Sequence, residues 1–474
     1  MRKWLLGALS ATLMMILSPA LAQDQITIEF VHIFGAEGDT RADVIRAIAD
    51  DFEAQTGIKV NITSPSTDYT ELFNSVLLNA EQGRAPHVVQ VEEGLTQLAA
   101  DSGYFIPISE LASPEQLATF EDFIPTVRAY YEIDDVNWSV PWNSSNPVVY
   151  YNKTLTDLLQ IEIPSDRPLT FNELEGICQR IMMAAPVIRM RAQNFRACIN
   201  WPMASWFLEQ WMSMKGELMA LPGNGREGAR VTEMNYDSES LVEIVSWIGD
   251  MAQKGYYTYS GTPNDYNGEG ALFGTGATAI HINSTAGITL FVAGFANAGV
   301  KLGIAPLFIP DEEATNGVTM GGASLWVTDG HSDAETQAAV DFIFFLTKTE
   351  NDMRFHQGSG YFPNRLSSIE ALTKGGLFVD AEGNPTSPSA EGAKEVSWFE
   401  TYPFFRIALD QLLASKGTIA NAGAVVGPSS EVRLLLVRAV QSVVDQGIDP
   451  AEALAAAKAQ ADAVIRDYNA VIGN

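Results

Sequence analysis

Short apolar strands alternate with amphipathic helices through the first part of the chain, and this alternation constrains the fold most. Ile26 to Val31 alternates apolar and polar residues and runs on into His32, Ile33 and Phe34, as a buried strand does. Thr40 to Thr56 places Val44, Ile45, Ile48 and Phe52 on one helical face, with Gly57 as a natural stop. Ile58 to Ile62 predicts a second strand, Tyr69 to Gln82 a second helix, and Val88 to Val91 a third strand. This β-α-β-α-β order predicts an α/β fold, a mostly parallel sheet with helices on both faces. Ligands of such sheets sit at the carboxyl ends of strands. Those ends are the loops Phe34 to Thr40, Pro65 to Tyr69 and Glu92 to Thr96.

The middle of the chain reads as a Pro-bounded loop, Pro141 to Pro147, feeding a strand at Val148 to Tyr151. Helices are predicted over Thr170 to Ala184, Ser205 to Met214, Tyr236 to Lys254 and Ala338 to Leu346. Leu272 to Ile282 reads as a Gly/Ala-rich strand region. A last helix starts behind Asp449, with Pro450 at its first position and Glu452 completing a capping-box pattern. At 474 residues the chain has room for two or more folding units.

Residues 1–22 read as a secretory signal peptide: Arg2 and Lys3, an uncharged and mostly apolar run to Leu17, then Pro19 and Ala20-Leu21-Ala22. An exported compartment is oxidising, so Cys178 and Cys198 either pair or stay as two buried thiols. Two cysteines are too few for a disulfide scaffold or a Cys-rich metal site. The chain carries 29 Lys+Arg against 58 Asp+Glu, a formal charge of −29. That charge repels phosphate backbones and excludes broad nucleic-acid binding. It also argues against docking on an anionic membrane surface.

Enzymatic motifs are weak. Gly223-Asn224-Gly225-Arg226-Glu227-Gly228 matches a dinucleotide pattern, but Pro222 precedes it where a strand is required, which predicts a surface loop. No phosphate-binding P-loop and no G-x-S-x-G elbow occur. His32, His87, His281, His331 and His356 show no metal-ligand spacing, so no metal and no cofactor are expected. More informative are three polar loops: Asn143-Ser144-Ser145-Asn146, Asn283-Ser284-Thr285 and Met320-Gly321-Gly322-Ala323-Ser324. Their hydroxyls and accessible backbone N–H groups suit an anion held without a metal.

Several stretches, in order, resemble the periplasmic sn-glycerol-3-phosphate-binding proteins of ABC importers, within the extracellular solute-binding family that includes maltose-binding proteins. They are Ala85-Pro86 with Gln90-Val91-Glu92-Glu93; Phe123 to Val127; Asn143-Ser144-Ser145 with Pro147 and Tyr150 to Lys153; Gly321 to Val327; and His356-Gln357 with Gly360-Tyr361. The resemblance implies a two-lobed (type II) periplasmic-binding-protein fold, each lobe a mixed sheet flanked by helices, with ligand in the cleft between. It puts one lobe at 23–142 and 320–360 and the other at 143–319 and 361–474.

The resemblance also implies the contacts. The glycerol-side Tyr falls on Tyr69 and the acidic contact on Glu93. The phosphate-side serines fall on Ser145 and Ser284, the backbone N–H on Gly322, a second Tyr on Tyr361, and the one arginine on Arg433. The stacking Trp falls on Trp201, with Trp206 as the alternative. Around Ser284 the chain departs from the family, with Asn283-Ser284-Thr285 in place of Ala-Ser-Ser. A phosphate wants an arginine with short donors, and a glyceryl group wants a carboxylate and a flat apolar wall. The implied protein is a monomeric, non-catalytic periplasmic receptor. It delivers glycerol-3-phosphate or a diester such as glycerophosphocholine to membrane permease subunits. A sugar receptor is the second reading and an exported hydrolase the third.

Overall fold

The computed structural model describes residues 25–36 and 38–473. The signal-peptide reading, on residues 1–22, lies outside them. Two mixed sheets organise the chain. In the first, Thr27–Val31 lies between Lys59–Thr63 and Val88–Glu92, parallel to both. Gly321–Thr328 adds antiparallel to Val88–Glu92, and Val140–Ser145 and Phe105–Ile106 pair antiparallel to it in turn. In the second sheet the order is Tyr257–Thr258, Ala197–Asn200, Thr278–Ser284, Pro147–Asn152, Leu302–Pro306. There Pro147–Asn152 runs antiparallel to both neighbours. The first sheet receives the chain up to Ser145 and the second from Pro147.

Local signals explain the elements. The helix Thr40–Thr56 starts where the Asp39 carboxylate accepts the Arg41 N–H. It buries Ile45, Ile48 and Phe52 and stops at Gly57, whose φ of 75° suits glycine. Those side chains pack with Phe30, Phe34, Trp142 and Phe342 beneath the first sheet. A larger core, including Trp211, Phe207 and Leu436, fills the second. The Cys178–Cys198 disulfide ties the helix Phe171–Met183 to the strand Ala197–Asn200.

Four expectations change. Asn143-Ser144-Ser145 belongs to a strand, because its backbone pairs with Gly321 to Ala323. The Gly321-Gly322 segment is correspondingly strand, with Gly322 at φ 122° because a Cβ there would strike the Asn143 carbonyl. Leu272 to Gly274 closes a helix, Tyr266–Gly274, and the strand begins only at Thr278. The Gly223–Gly225 turn is buried rather than on the surface. The Asn224 side chain accepts the Met219 and Ala220 N–H groups, and Arg226 donates to the Ala129, Tyr130 and Gly423 carbonyls. It is a structural joint. No helix among the described residues is long and apolar enough to cross a membrane.

Candidate functional site

The carboxyl end of the strand Val88–Glu92 delivers Glu93 into a buried turn. One Glu93 oxygen accepts the Gly322 N–H at 2.9 Å and the other accepts from Arg433 Nη2 at 3.2 Å. Arg433 comes from the helix Ser429–Gln446, which packs against the second sheet's core. Its Nε and Nη2 also hold both oxygens of Glu209 at 2.9 and 2.7 Å, a bidentate pair. Gly94 makes room, since a Cβ there would collide with Arg433 Nη1. Three predicted residues, Glu93, Gly322 and Arg433, thus meet on one carboxylate. Burial pushes the Glu93 pKa up, against the pull of Arg433. Burial and the charge of Glu93 push Glu92 up to about 8.

Tyr69 heads the helix Tyr69–Glu81, behind Asp68, whose carboxylate accepts the Glu71 N–H. The Tyr69 hydroxyl accepts from Asn143 Nδ2 at 2.8 Å. Asn143 Oδ1 accepts from Gln90 Nε2, and Gln90 Oε1 accepts the Ile33 N–H. This chain orients Tyr69 from the sheet. Burial and the neighbouring Tyr361 raise the Tyr69 pKa. Tyr361 follows the left-handed Gly360 and packs its ring on Phe34 and Phe355. Ser145 is buried opposite Gly321, and Ser284 pairs with Pro147. Both therefore flank the crossing between sheets.

Trp201 does not join them. Its ring packs among Trp211, Trp247 and Tyr257 in the second core. Trp206 instead lies against Gly321, and its Nε1 is buried without a protein partner. Ser144 Oγ and the Tyr131 hydroxyl are likewise buried and unpartnered among the described residues. Such atoms are costly unless something accepts or donates to them.

The sequence alone does not mark Glu209 or Gln90 as site residues, and it offers Asn143 only within the polar run Asn143 to Asn146. Glu209 sits three residues after Trp206 in an otherwise acid-poor helix, a faint signal for a buried charge. His87, His331 and Glu335 form a separate cluster at the first sheet's other end, with ligand-type atoms within 4.8 Å. His87 Nδ1 accepts the Glu29 N–H. Burial lowers the His87 pKa to about 4, so it is neutral with its proton on Nε2, which disfavours metal ligation there.

Comparison with known proteins agrees with this architecture. A family model described as bacterial extracellular solute-binding protein matches residues 47–378. The sn-glycerol-3-phosphate-binding periplasmic protein UgpB of Rhizobium meliloti (strain 1021) is 28% identical over 358 residues, 73% of this chain and 77% of that one. Its namesake in Pectobacterium atrosepticum is 26% identical over 462 residues, covering 95% and 94%. The crystal structure of UgpB from Mycobacterium tuberculosis in complex with glycerophosphocholine matches with a TM-score of 0.71 at 19% identity, covering 94% of this chain and 99% of that one. The GacH receptor of Streptomyces glaucescens GLA.O, solved unliganded and with acarbose, matches at 0.69 and 18%, covering 94% and 99%. The fold is the two-lobed, type II periplasmic-binding-protein fold. Its relatives are binding proteins, not enzymes. The length and continuity of the family match decide the assignment: this chain belongs to the bacterial extracellular solute-binding protein family.

Proposed function

We propose that the chain captures sn-glycerol-3-phosphate or a glycerophosphodiester such as glycerophosphocholine in the periplasm and delivers it to an ABC importer. The supporting observation is the convergence of the Arg433 guanidinium and the Gly322 N–H on one oxyanion, the Glu93 carboxylate. Donors that hold a carboxylate this way suit a phosphate oxygen equally. Tyr69, Tyr361, Ser145 and Ser284 stand as further ligand contacts, and Trp206 takes the stacking place in preference to Trp201. The lobes divide near 23–145 with 320–360 and 146–319 with 361–474, a few residues after the expected first boundary at 142, because Asn143 to Ser145 pair within the first sheet. A cleaved leader ending near Ala22 and a monomeric state complete the proposal.

Charge favours the diester of the two ligands. Arg433 already pairs bidentately with Glu209 and bonds Glu93, while Glu92, 4.0 Å away, is mostly protonated at neutral pH. A dianionic monoester adds more negative charge to that set than a monoanionic diester bearing a cationic head group. Calorimetric titration with glycerophosphocholine, glycerol-3-phosphate and maltose tests this: the diester should bind tightest and maltose not at all. Binding of maltose alone would overturn the reading. Arg433→Ala should abolish the heat of phosphate-ligand binding and leave the far-UV circular dichroism spectrum unchanged.

A further inference from the structure

We propose that the end of the second sheet remote from the cleft docks on an anionic phospholipid bilayer. From Gly176 through Leu208 this acidic chain has no Asp or Glu, yet it carries Arg180, Arg189, Arg191 and Arg196. The acids flanking this stretch are taken: Glu173 by Arg167, Glu175 by Lys254 and Glu209 by Arg433. Arg180 and Arg189 donate to backbone carbonyls, of Leu159 and Gln160 and of Phe195 and Arg196, so their charges are not cancelled by those contacts.

Topology puts these cations at one end. Arg196 precedes the strand Ala197–Asn200, which runs parallel to Thr278–Ser284. Ser284, beside the candidate site, closes the opposite end of that seven-residue strand, about 20 Å away. Lys153 and Lys301 lie at the same remote end, where the Lys153 N–H donates to the Lys301 carbonyl. Asp157 pairs with Lys153 there.

Apolar side chains protrude among the cations. Met183, Val187 and Met190 are 76%, 64% and 79% exposed. Leu158, also exposed, adjoins them through the bonds of Arg180 to the next two carbonyls. Protruding apolar groups flanked in sequence by arginines match the boundary between anionic head groups and acyl chains. The Cys178–Cys198 disulfide holds the helix that carries Met183 against the strand that follows Arg196. The net charge does not forbid this contact, because acids more than a Debye length (about 8 Å at physiological salt) from the patch are largely screened.

The test is co-sedimentation of the mature protein with vesicles of phosphatidylcholine, with and without phosphatidylglycerol. Binding is expected only with phosphatidylglycerol, weakening as salt rises. Arg191→Glu should lower partitioning at least about fivefold, the worth of one arginine near an anionic surface. Met183→Ser/Met190→Ser, which removes no hydrogen bond, should lower it with the circular dichroism spectrum unchanged. Equal binding to neutral vesicles, unchanged partitioning in both variants, or self-association of the protein through this patch without vesicle binding would overturn the proposal.

Discussion

Gly94 and Arg433 form a tight steric pair in the candidate site, because the guanidinium occupies the space a side chain at 94 would need. Gly94→Ala should therefore displace the arginine and weaken phosphate-ligand binding by at least about tenfold, a modest loss for one misplaced charge-assisted bond. Titration calorimetry reads the affinity, and a melting curve shows whether the fold survives. Glu92 yields a pH prediction. Burial and Glu93 raise its pKa to about 8, so at neutral pH it is mostly protonated and adds little negative charge. Above pH 8 it ionises beside Arg433. Affinity for a phosphate ligand should fall between pH 7 and 9, and Glu92→Gln should flatten that fall. At this scale the family resemblance, rather than residue type alone, singled out Arg433 and Gly322, which the structure brings together on Glu93. The sequence was silent on Glu209 and on the bond of Asn143 to Tyr69, both of which depend on partners far away in the chain.

Elements were more legible than their connections. The strand at Thr27–Val31 and the helix at Thr40–Thr56 follow from apolar spacing and caps, which are local. The Asn143–Ser145 segment reads as a loop from its Asn and Ser content, yet it pairs with Gly321 to Ala323, residues distant in sequence. Nonlocal pairing of polar segments leaves no periodicity to find. Trp201 and Trp206 were inseparable for the same reason: both are aromatic and near a helix start, and only packing tells core from cleft. The disulfide supplies the element-scale prediction. It closes a loop of sequence separation 20, so Cys178→Ser/Cys198→Ser should cost about 3 kcal/mol. Chemical denaturation measures that loss. Ligand affinity should not change, because the bond lies in the helix–strand junction of the second sheet.

For the whole molecule, a formal charge of −29 surrounds the site for which an anionic ligand is proposed. The field opposes approach while Arg433 and the N–H donors favour the bound state. The association rate of glycerol-3-phosphate, read by stopped-flow tryptophan fluorescence, should therefore rise as ionic strength goes from about 0.01 to 0.15 M, since screening shortens the Debye length from about 30 to 8 Å. A falling rate would mean that the local positive charge dominates encounter. Asp101 bonds Arg230 and the Tyr468 hydroxyl, joining the helix that follows Glu93 to the chain's last helix, so the two halves are tied beyond the site itself.

If a phosphate binds as proposed, the Glu93 carboxylate, held by both Gly322 and Arg433, makes its capture an exchange rather than an addition. A phosphate that takes these donors must first evict an internal anion, and that anion stays tethered within reach. Its effective concentration is high, so each loosening of the cargo invites its return. A receptor that hands its cargo on benefits from a resident competitor: grip is moderated and turnover quickened by the same side chain.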